Sequence, residues 1–379
     1  MNRARAAAAC ALAGATVAAC GDDPPPAPPT VATPTPTPAE APEPAPPPVE
    51  LPAPRPRRLT VAVSGDLLPH LPVVARARAL AGAGEEYDFA PMLRALRPAI
   101  RRASLALCHV ETPLVAGAPA GYPSFRTPPA LARAIRVTGW DACSTASNHT
   151  LDAGQAGVAS TVRALDRAHV RHTGSFASRR ARRRPLILRA QGVRVAFLAY
   201  TTTTNGIPPP HRWSVNVARP ERVLRDARRA RRAGAQAVLV NLHWGTEYSH
   251  AVDRQQRRLA ARLLRSRAIT AIVGQHVHVV QPIRRLHGNW VVFGEGNLLS
   301  SQSSACCPAA TQDGLVAFLH LRVVGKRARV ERVGYVPTWV RHPDYTVLPA
   351  WRAEPASWRR TVRIAGRARG LWPCRRVCR

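Results

Sequence analysis

From Leu59 onward, short runs rich in valine, leucine and isoleucine alternate with longer stretches whose apolar residues recur at helical spacing. A chain patterned in this way buries its strands in sheets covered by helices, the signature of an α/β domain. The apolar runs predict strands over Leu59 to Ser64, Ser104 to His109, Asp141 to Thr145, Leu186 to Arg189, Val193 to Tyr200, Ala237 to Leu242, Thr270 to Val273 and Trp290 to Phe293. Helices are expected over Phe89 to Arg102, Pro129 to Thr138, Gly154 to Ala168, Pro220 to Ala233 and Asp253 to Ser266. Pro129 and Pro220 suit early helical positions, where a missing N–H costs nothing, and Gly234 suits a helix stop. Val316 to Val324 and Ala328 to Val336 flank Gly325-Lys326 and read as a closing hairpin. Trp351 to Arg379 is polar and arginine-rich and carries no clear structural signal.

Upstream of this domain the pattern changes twice. Arg3 and Arg5 precede a largely apolar run from Ala6 to Ala19 and then Cys20, the layout of a signal peptide. That run is too short for a bilayer crossing, which takes about 20 helical residues. Val17-Ala18-Ala19-Cys20 resembles a bacterial lipobox, so Cys20 is the expected lipidation site and the chain is expected on the extracytoplasmic face of the cell membrane. Residues 24–56 hold 16 prolines in 33 positions and no aromatic residue, so they cannot build a core. In polyproline conformation this disordered tether reaches roughly 100 Å. The expected organisation is a lipoprotein signal peptide over 1–20, a Pro-rich linker over 21–57, the α/β domain over 58–350 and an Arg/Trp-rich tail over 351–379.

A net charge of +33 invites a polyanionic partner. The excess is almost wholly arginine, with Lys326 the sole lysine, and arginine and alanine richness together fit a coding bias better than a designed surface. No nucleic-acid motif accompanies the arginines, and nucleic acid is not expected as a partner. The densest run, Arg179-Arg180 and Arg182 to Arg184, reads as a solvated loop. Beyond Cys10 and Cys20 there are six cysteines, at 108, 143, 306, 307, 374 and 378, an even number that fits an oxidising compartment. Cys374 and Cys378 can close a small loop, whereas adjacent Cys306 and Cys307 are expected to pair elsewhere. Neither close pair has the spacing typical of a structural zinc site.

The chemistry collects at strand ends. Gly65-Asp66, His109 to Thr112, Ser147 to His149 with Asp152, His243 to Tyr248, Gln275 to His278 and Gly294 to Asn297 each follow a predicted strand. In open α/β sheets ligands bind beyond the carboxyl ends of the strands. Mixed carboxylates and imidazoles there suit metal-assisted hydrolysis, in which divalent ions lower the pKa of water and stabilise charge on the attacked oxygen. His276 and His278, two residues apart, would share one face of an extended segment and aim at one ion. Asp152, just before Gly154, reads as a helix N-cap. His169, His172 and His211 fall outside the clusters.

In combination, Gly65-Asp66, Glu111-Thr112-Pro113-Leu114, Asn148-His149 with Asp152 and Gly154, His243-Trp244-Gly245 with Glu247-Tyr248, Gly274 to Gln281 and Gly296-Asn297 resemble the CapA, or poly-γ-glutamate capsule synthesis, proteins. That family is a branch of the calcineurin-like metallophosphatase fold. The resemblance, running from Thr60 to Gln302, implies a metallophosphatase-like four-layer α/β/β/α sandwich with mixed sheets and one or two divalent metal ions, with Mn, Fe and Zn all open. It implies Asp66, Glu111, His149, His243, His276 and His278 as metal ligands and Asn148, His243 and Glu247 as catalytic groups. Tyr248 and Asn297 are the implied substrate contacts. His109 stands where the family usually has Asn, Ser147 where a second Asn is common, and Glu295 and Leu298 replace Leu and Phe. Leu68 occupies the position of a usual His, which leaves His70 or His109 to fill that place. The implied role is a metal-dependent hydrolase or transferase acting on an anionic capsule or envelope polymer such as poly-γ-glutamate, with capsule synthesis or export proteins as partners. The alternative is a non-catalytic polymer-binding component of such an assembly.

Overall fold

Period-two alternation along the strands decides the layering. Leu59, Val61 and Val63 point to one face of the first strand and Ala62 to the other, and the two sets belong to different hydrophobic cores. The computed structural model describes residues 24–33, 55–375 and 378. Residues 24–33 contain no helix or strand and are exposed. The expected signal peptide, Cys20 and the remainder of the tether lie outside the described residues. No helix among the described residues is long and apolar enough to cross a membrane.

The strands are β1 (Arg57–Leu67), β2 (Leu105–Val110), β3 (Ala142–Ser144), β4 (Arg171–Thr173), β5 (Leu186–Ala190), β6 (Val193–Thr201), β7 (Ala237–His243), β8 (Ala271–Gln275), β9 (Ile283–Leu286), β10 (Asn289–Val292), β11 (Asn297–Leu299), β12 (Asp313–Val324), β13 (Arg327–Arg341), β14 (Thr346–Pro349) and β15 (Leu371–Pro373). One sheet runs β14-β13-β12-β1-β2-β3-β4, with β11 beside β1 and β15 beside β13, and the other runs β5-β6-β7-β8-β10-β9. Both are mixed: β1 to β4 are parallel while β12 opposes β1, and β6, β7, β8 and β10 are parallel while β5 and β9 run against their neighbours. Leu105 and Leu107 of β2 meet Val195 and Phe197 of β6 and Leu239 of β7 in the core between the sheets. The opposite faces are covered by helices. Leu131, Ala132, Ala134 and Ile135 of Ala130–Thr138 pack on the first sheet. Val223, Ala227 and Ala230 of Pro220–Arg232, with Leu259, Ala260 and Leu263 of Arg254–Leu264, pack on the second. The result is the expected four-layer α/β/β/α sandwich.

The expected strands and the closing hairpin are present, and Gly234, at φ 88°, ends its helix as expected. The single helix expected over Phe89 to Arg102 is instead Ala90–Leu93, a 3-10 turn at Arg94–Leu96 and Arg97–Ile100. Pro98 is the cause, since its ring clashes with the carbonyl four residues back and it has no N–H to donate. The arginine run is not a loop: Arg179–Arg182 form one helical turn capped by Ser178, and Arg182 pairs with Asp226 at 2.6 Å. In the C-terminal segment, helix Pro355–Ala365 is followed by β15, which pairs with β13. Cys374 is bonded to Cys378, the small loop anticipated, and Cys108 to Cys143 across the β2–β3 register. Cys306 and Cys307 do not pair elsewhere; both are free, with their sulfurs against each other.

Two close approaches bring the strand ends together. A Cβ at Gly65 would sit 1.9 Å from the carbonyl oxygen of Gly296, and one at Gly274 would sit 2.0 Å from that of Phe293. Replacing Gly274 with Ala is therefore expected to destabilise the domain by about 1–3 kcal/mol or more, read as a lower urea midpoint. Gly82→Ala, at a position with nothing within 4 Å, serves as the neutral control. Equal midpoints for the two variants would contradict the close packing described.

Candidate metal centre

Parallel pairing sets Asp66 at the end of β1 beside His109 of β2, and His243 at the end of β7 beside Gln275 of β8. The loops leaving β2 and β8 add Glu111, His276 and His278. Asp66, His109 and His243 form one group and Glu111, His276 and His278 a second; within each, the candidate ligand atoms lie within 4.8 Å of one another. The groups interlock. His278 Nδ1 is 3.4 Å from Asp66 Oδ2, His278 Nε2 is 3.7 Å from Glu111 Oε1, and His243 Nε2 is 3.8 Å from the same Glu111 oxygen. None of the six residues is more than 7% exposed.

Their free atoms are compatible with a bound cation. Asp66 Oδ1, both Glu111 carboxylate oxygens, His109 Nε2, His243 Nδ1 and His276 Nδ1 are buried with no hydrogen-bond partner. Enclosing carboxylate oxygens without donors costs several kcal/mol per charge unless a cation compensates. Nitrogen and oxygen donors in this mixture suit a divalent first-row metal. The surrounding shell fixes the rings. Asn297 Nδ2 donates to Gln302 Oε1 and to the Thr311 carbonyl, both at 2.9 Å, so its Oδ1 can only accept from His278 Nδ1 at 3.0 Å. His278 Nε2 is thereby turned toward Glu111. Ser144 Oγ lies 2.6 Å from His109 Nδ1 and Asn148 Oδ1 2.8 Å from His243 Nε2, which leaves the opposite ring nitrogen of each free. Such outer-shell bonds orient metal ligands and set their tautomers.

The electrostatics follow from burial. It pushes His109 and His276 down to about 4 and His243 well below the ordinary histidine value, and it raises the Glu111 carboxyl well above the usual range. Burial also pulls on His278, but Glu111 and Asp66 outweigh it and raise that ring to about 9. With no ion bound, the two carboxylates thus favour the protonated form of His278.

Five of the six expected ligands fall in the two groups. The sixth, His149, does not: its Nδ1 bonds Asp152 Oδ2 at 2.8 Å and its ring lies edge-on to Phe125. His109 falls in the first group in its stead, while His70 faces Ser300 and Ser301. Asp152 is not a helix cap; the helix Gly154–Arg167 has Ala153 at its N-cap, and the Asp152 carboxylate holds His149 and accepts from the Phe125 N–H. His276 and His278 do not share an extended face. They follow β8 in a turn with φ of 93° and 57°, conformations rare for residues with a Cβ and concentrated at functional sites. Asn148 is buried against His243, and Glu247, half-exposed, is 3.9 Å from His276 Nδ1 at the mouth. Tyr248, at φ 63°, lies over His278 with its hydroxyl accepting from Gln302 Nε2. Asn297, expected at the substrate, is fully buried with its amide saturated by protein partners, so its place is behind His278. Glu295 is buried beside the cluster; burial holds its carboxyl well above the usual range, and it accepts from Gln275 at 2.6 Å. Sequence reasoning missed Gln256 and Gln281, a buried pair bonded at 2.7 Å. Gln281 donates to the carbonyls of Ser249 and Ala251 and so fixes the loop that presents Glu247 and Tyr248.

The family model described as bacterial capsule synthesis protein PGA_cap matches residues 60–302. The chain is 26% identical over 195 residues to the capsule biosynthesis protein CapA of Bacillus anthracis, covering 50% of this chain and 46% of that protein. It is 26% identical over 185 residues to the PGA biosynthesis protein CapA of Bacillus subtilis, covering 48% and 47%. A probable polyglutamine synthesis accessory protein of Mycobacterium tuberculosis is 28% identical over 171 residues, covering 41% and 44%. The chain thus spans about half the length of the curated relatives it matches. Among solved structures, a calcineurin-like phosphoesterase from Bacillus subtilis gives a TM-score of 0.48 at 15% identity, covering 75% of this chain and 91% of that one. A 5'-nucleotidase precursor from Thermus thermophilus gives 0.43 at 15%, covering 72% and 54%.

The shifts fix a pH dependence for chelator-treated protein. A histidine held at about 4 when folded and released to 6.5 when unfolded takes up its proton only on unfolding, so stability drops as pH falls from 6.5 toward 4. His278 has the opposite sign. Its contribution is complete below 6.5 and is lost as pH rises through about 9, while the buried acids Glu111 and Glu295 lose theirs from 4.5 upward, which blunts the acid arm and deepens the decline above it. The melting temperature is expected to peak near neutrality and decline on both sides, and His278→Gln is expected to flatten the alkaline arm. An unchanged alkaline arm in that variant would contradict the assignment.

Proposed function

This chain belongs to the bacterial capsule synthesis protein PGA_cap family, and from that premise we propose that it is a metal-dependent hydrolase or transferase acting on an anionic capsule or envelope polymer such as poly-γ-glutamate. It works on the extracytoplasmic face of the cell membrane, anchored through lipidated Cys20 and set off from the bilayer by the proline-rich tether, with capsule synthesis or export proteins as its partners. The observation that carries the reading is the buried set of unpartnered donors on Asp66, His109, Glu111, His243 and His276.

Those residues and His278 would hold one or two divalent ions, among which Mn, Fe and Zn all fit the donors. Such ions supply Lewis acidity and activate water near neutral pH. The remaining work falls to the chain. His243 is wholly buried, with Nε2 between Asn148 and Glu111 and Nδ1 unpartnered, so it serves as a ligand and does not carry protons to solvent. Glu247, half-exposed beside His276, is placed to take a proton from attacking water and return it to the leaving group. The Asn148 amide, held at His243, offers its N–H to charge developing on the attacked oxygen. Asp152 keeps His149 oriented at the same rim. Tyr248 closes one side of the mouth and offers a hydroxyl to a polar substrate.

One observation favours a second reading, a non-catalytic polymer-binding component: every ligand residue is under a tenth exposed, which also suits a metal that only stabilises the fold. Two measurements separate the readings. Elemental analysis of the purified protein is expected to find one or two equivalents of a transition metal, reduced in Glu111→Gln. Turnover of poly-γ-glutamate is expected to fall by about 10–100-fold or more in His243→Ala, with polymer binding retained. Absence of metal together with an unchanged melting temperature in chelator would sink the catalytic reading, and unchanged turnover in His243→Ala would sink the role given to that ligand.

A further inference from the structure

The segment after β11 carries Cys306 and Cys307, the free cysteines among the described residues. Their sulfurs lie 2.6 Å apart, well inside non-bonded contact. Cys306 is exposed and Cys307 half-buried; burial and the neighbouring thiol push Cys307 up to about 11, so the open thiol of Cys306 is the one that reacts first. The segment is tied to the metal cradle. Gln302, four residues earlier, donates to the Tyr248 hydroxyl at 3.2 Å and accepts from Asn297, which in turn positions His278. The Cys307 thiol is among the groups that push the Tyr248 hydroxyl above its ordinary value.

We propose that Cys306 and Cys307 form a reversible vicinal disulfide, a redox modification site at the rim of the cradle whose state is passed to Tyr248. The oxidant is a small-molecule disulfide. The Cys306 thiolate attacks one of its sulfurs and expels the first thiol; Cys307 then gives up its proton, attacks Cys306 Sγ and expels the second. Two cysteine thiols lose two electrons and two protons, and the oxidant becomes two thiols. Adjacent Cα atoms are about 3.8 Å apart, short of the usual range of about 4.4–6.8 Å for a disulfide. A bridge between neighbours is therefore strained and easily reduced, suited to switching. Cys108–Cys143 and Cys374–Cys378, with Cα separations of 4.4 and 5.4 Å, fall within that range and are expected to outlast it under mild reductant.

The sulfur chemistry stands by itself; only its effect on catalysis rests on the function proposed above. The full chain is incubated with oxidised glutathione or with a low concentration of dithiothreitol, alkylated and mapped by mass spectrometry. The peptide holding both cysteines is expected to change from two alkylated thiols to none, with a loss of two hydrogens, and to revert under mild reductant. Cys307→Ser is expected to trap a glutathione adduct on Cys306. Hydrogen exchange over residues 245–252 is expected to differ between oxidised and reduced wild type and not in the Cys306→Ser, Cys307→Ser double variant. Full alkylation after oxidation, or a stable glutathione adduct on the wild type, would overturn the vicinal bond; identical exchange in the two states would overturn the link to Tyr248. None of these readouts needs bound metal or turnover, so failure of the catalytic reading leaves them interpretable.

Discussion

Asp66 and Glu111 are enclosed between two sheets with three of their four carboxylate oxygens given no hydrogen bond by the protein. Left alone, such charges would oppose folding by several kcal/mol each. The rest of the site is arranged around that debt. Parallel register sets Asp66 and His109 together at the ends of adjacent strands of one sheet, His243 ends a strand of the other, and left-handed backbone at His276 and His278 turns two more rings inward. An outer ring of Ser144, Asn148 and Asn297 fixes which nitrogen of each histidine faces the centre. His278 lies within 3.4 Å of Asp66 and 3.7 Å of Glu111, between the two.

The layered fold was legible because alternation along a strand and periodicity along a helix are local. Leu59, Val61 and Val63 against Ala62 already separate two cores, and polar residues gathered after six apolar runs already mark one rim. What was not legible depends on contacts between distant residues. His109 falls in the buried donor group while His149 is bonded to Asp152, and a His-x-x-Asp spacing looks the same as a helix cap in sequence. The saturation of Asn297 depends on Gln302 and Thr311, and nothing in the order of residues announces it. The break at Pro98 was there to be read, but helical periodicity on both sides masked it.

The site divides into a rigid floor and a held loop. The floor is made of strand ends packed so closely that glycines at 65 and 274 leave no room for a side chain. The loop with Glu247 and Tyr248 hangs on amide hydrogen bonds from Gln281, itself paired with Gln256 at the start of the helix Arg254–Leu264. Ligand geometry is thereby insulated from changes at the mouth, while the mouth can differ in reach and polarity without disturbing the donors.

The bond between Cys108 and Cys143 sits one residue before the paired positions of His109 and Ser144, on strands that neighbour each other in the first sheet. It is a covalent crosspiece directly under the buried His109 and the hydroxyl that orients it. How the polypeptide is produced therefore enters its chemistry. Material made in a reducing cytoplasm, or stored with strong thiol reductants, lacks that crosspiece, and its histidine is positioned by packing alone. Preparations from oxidising and reducing hosts are two different molecules at the one place where their properties would be compared.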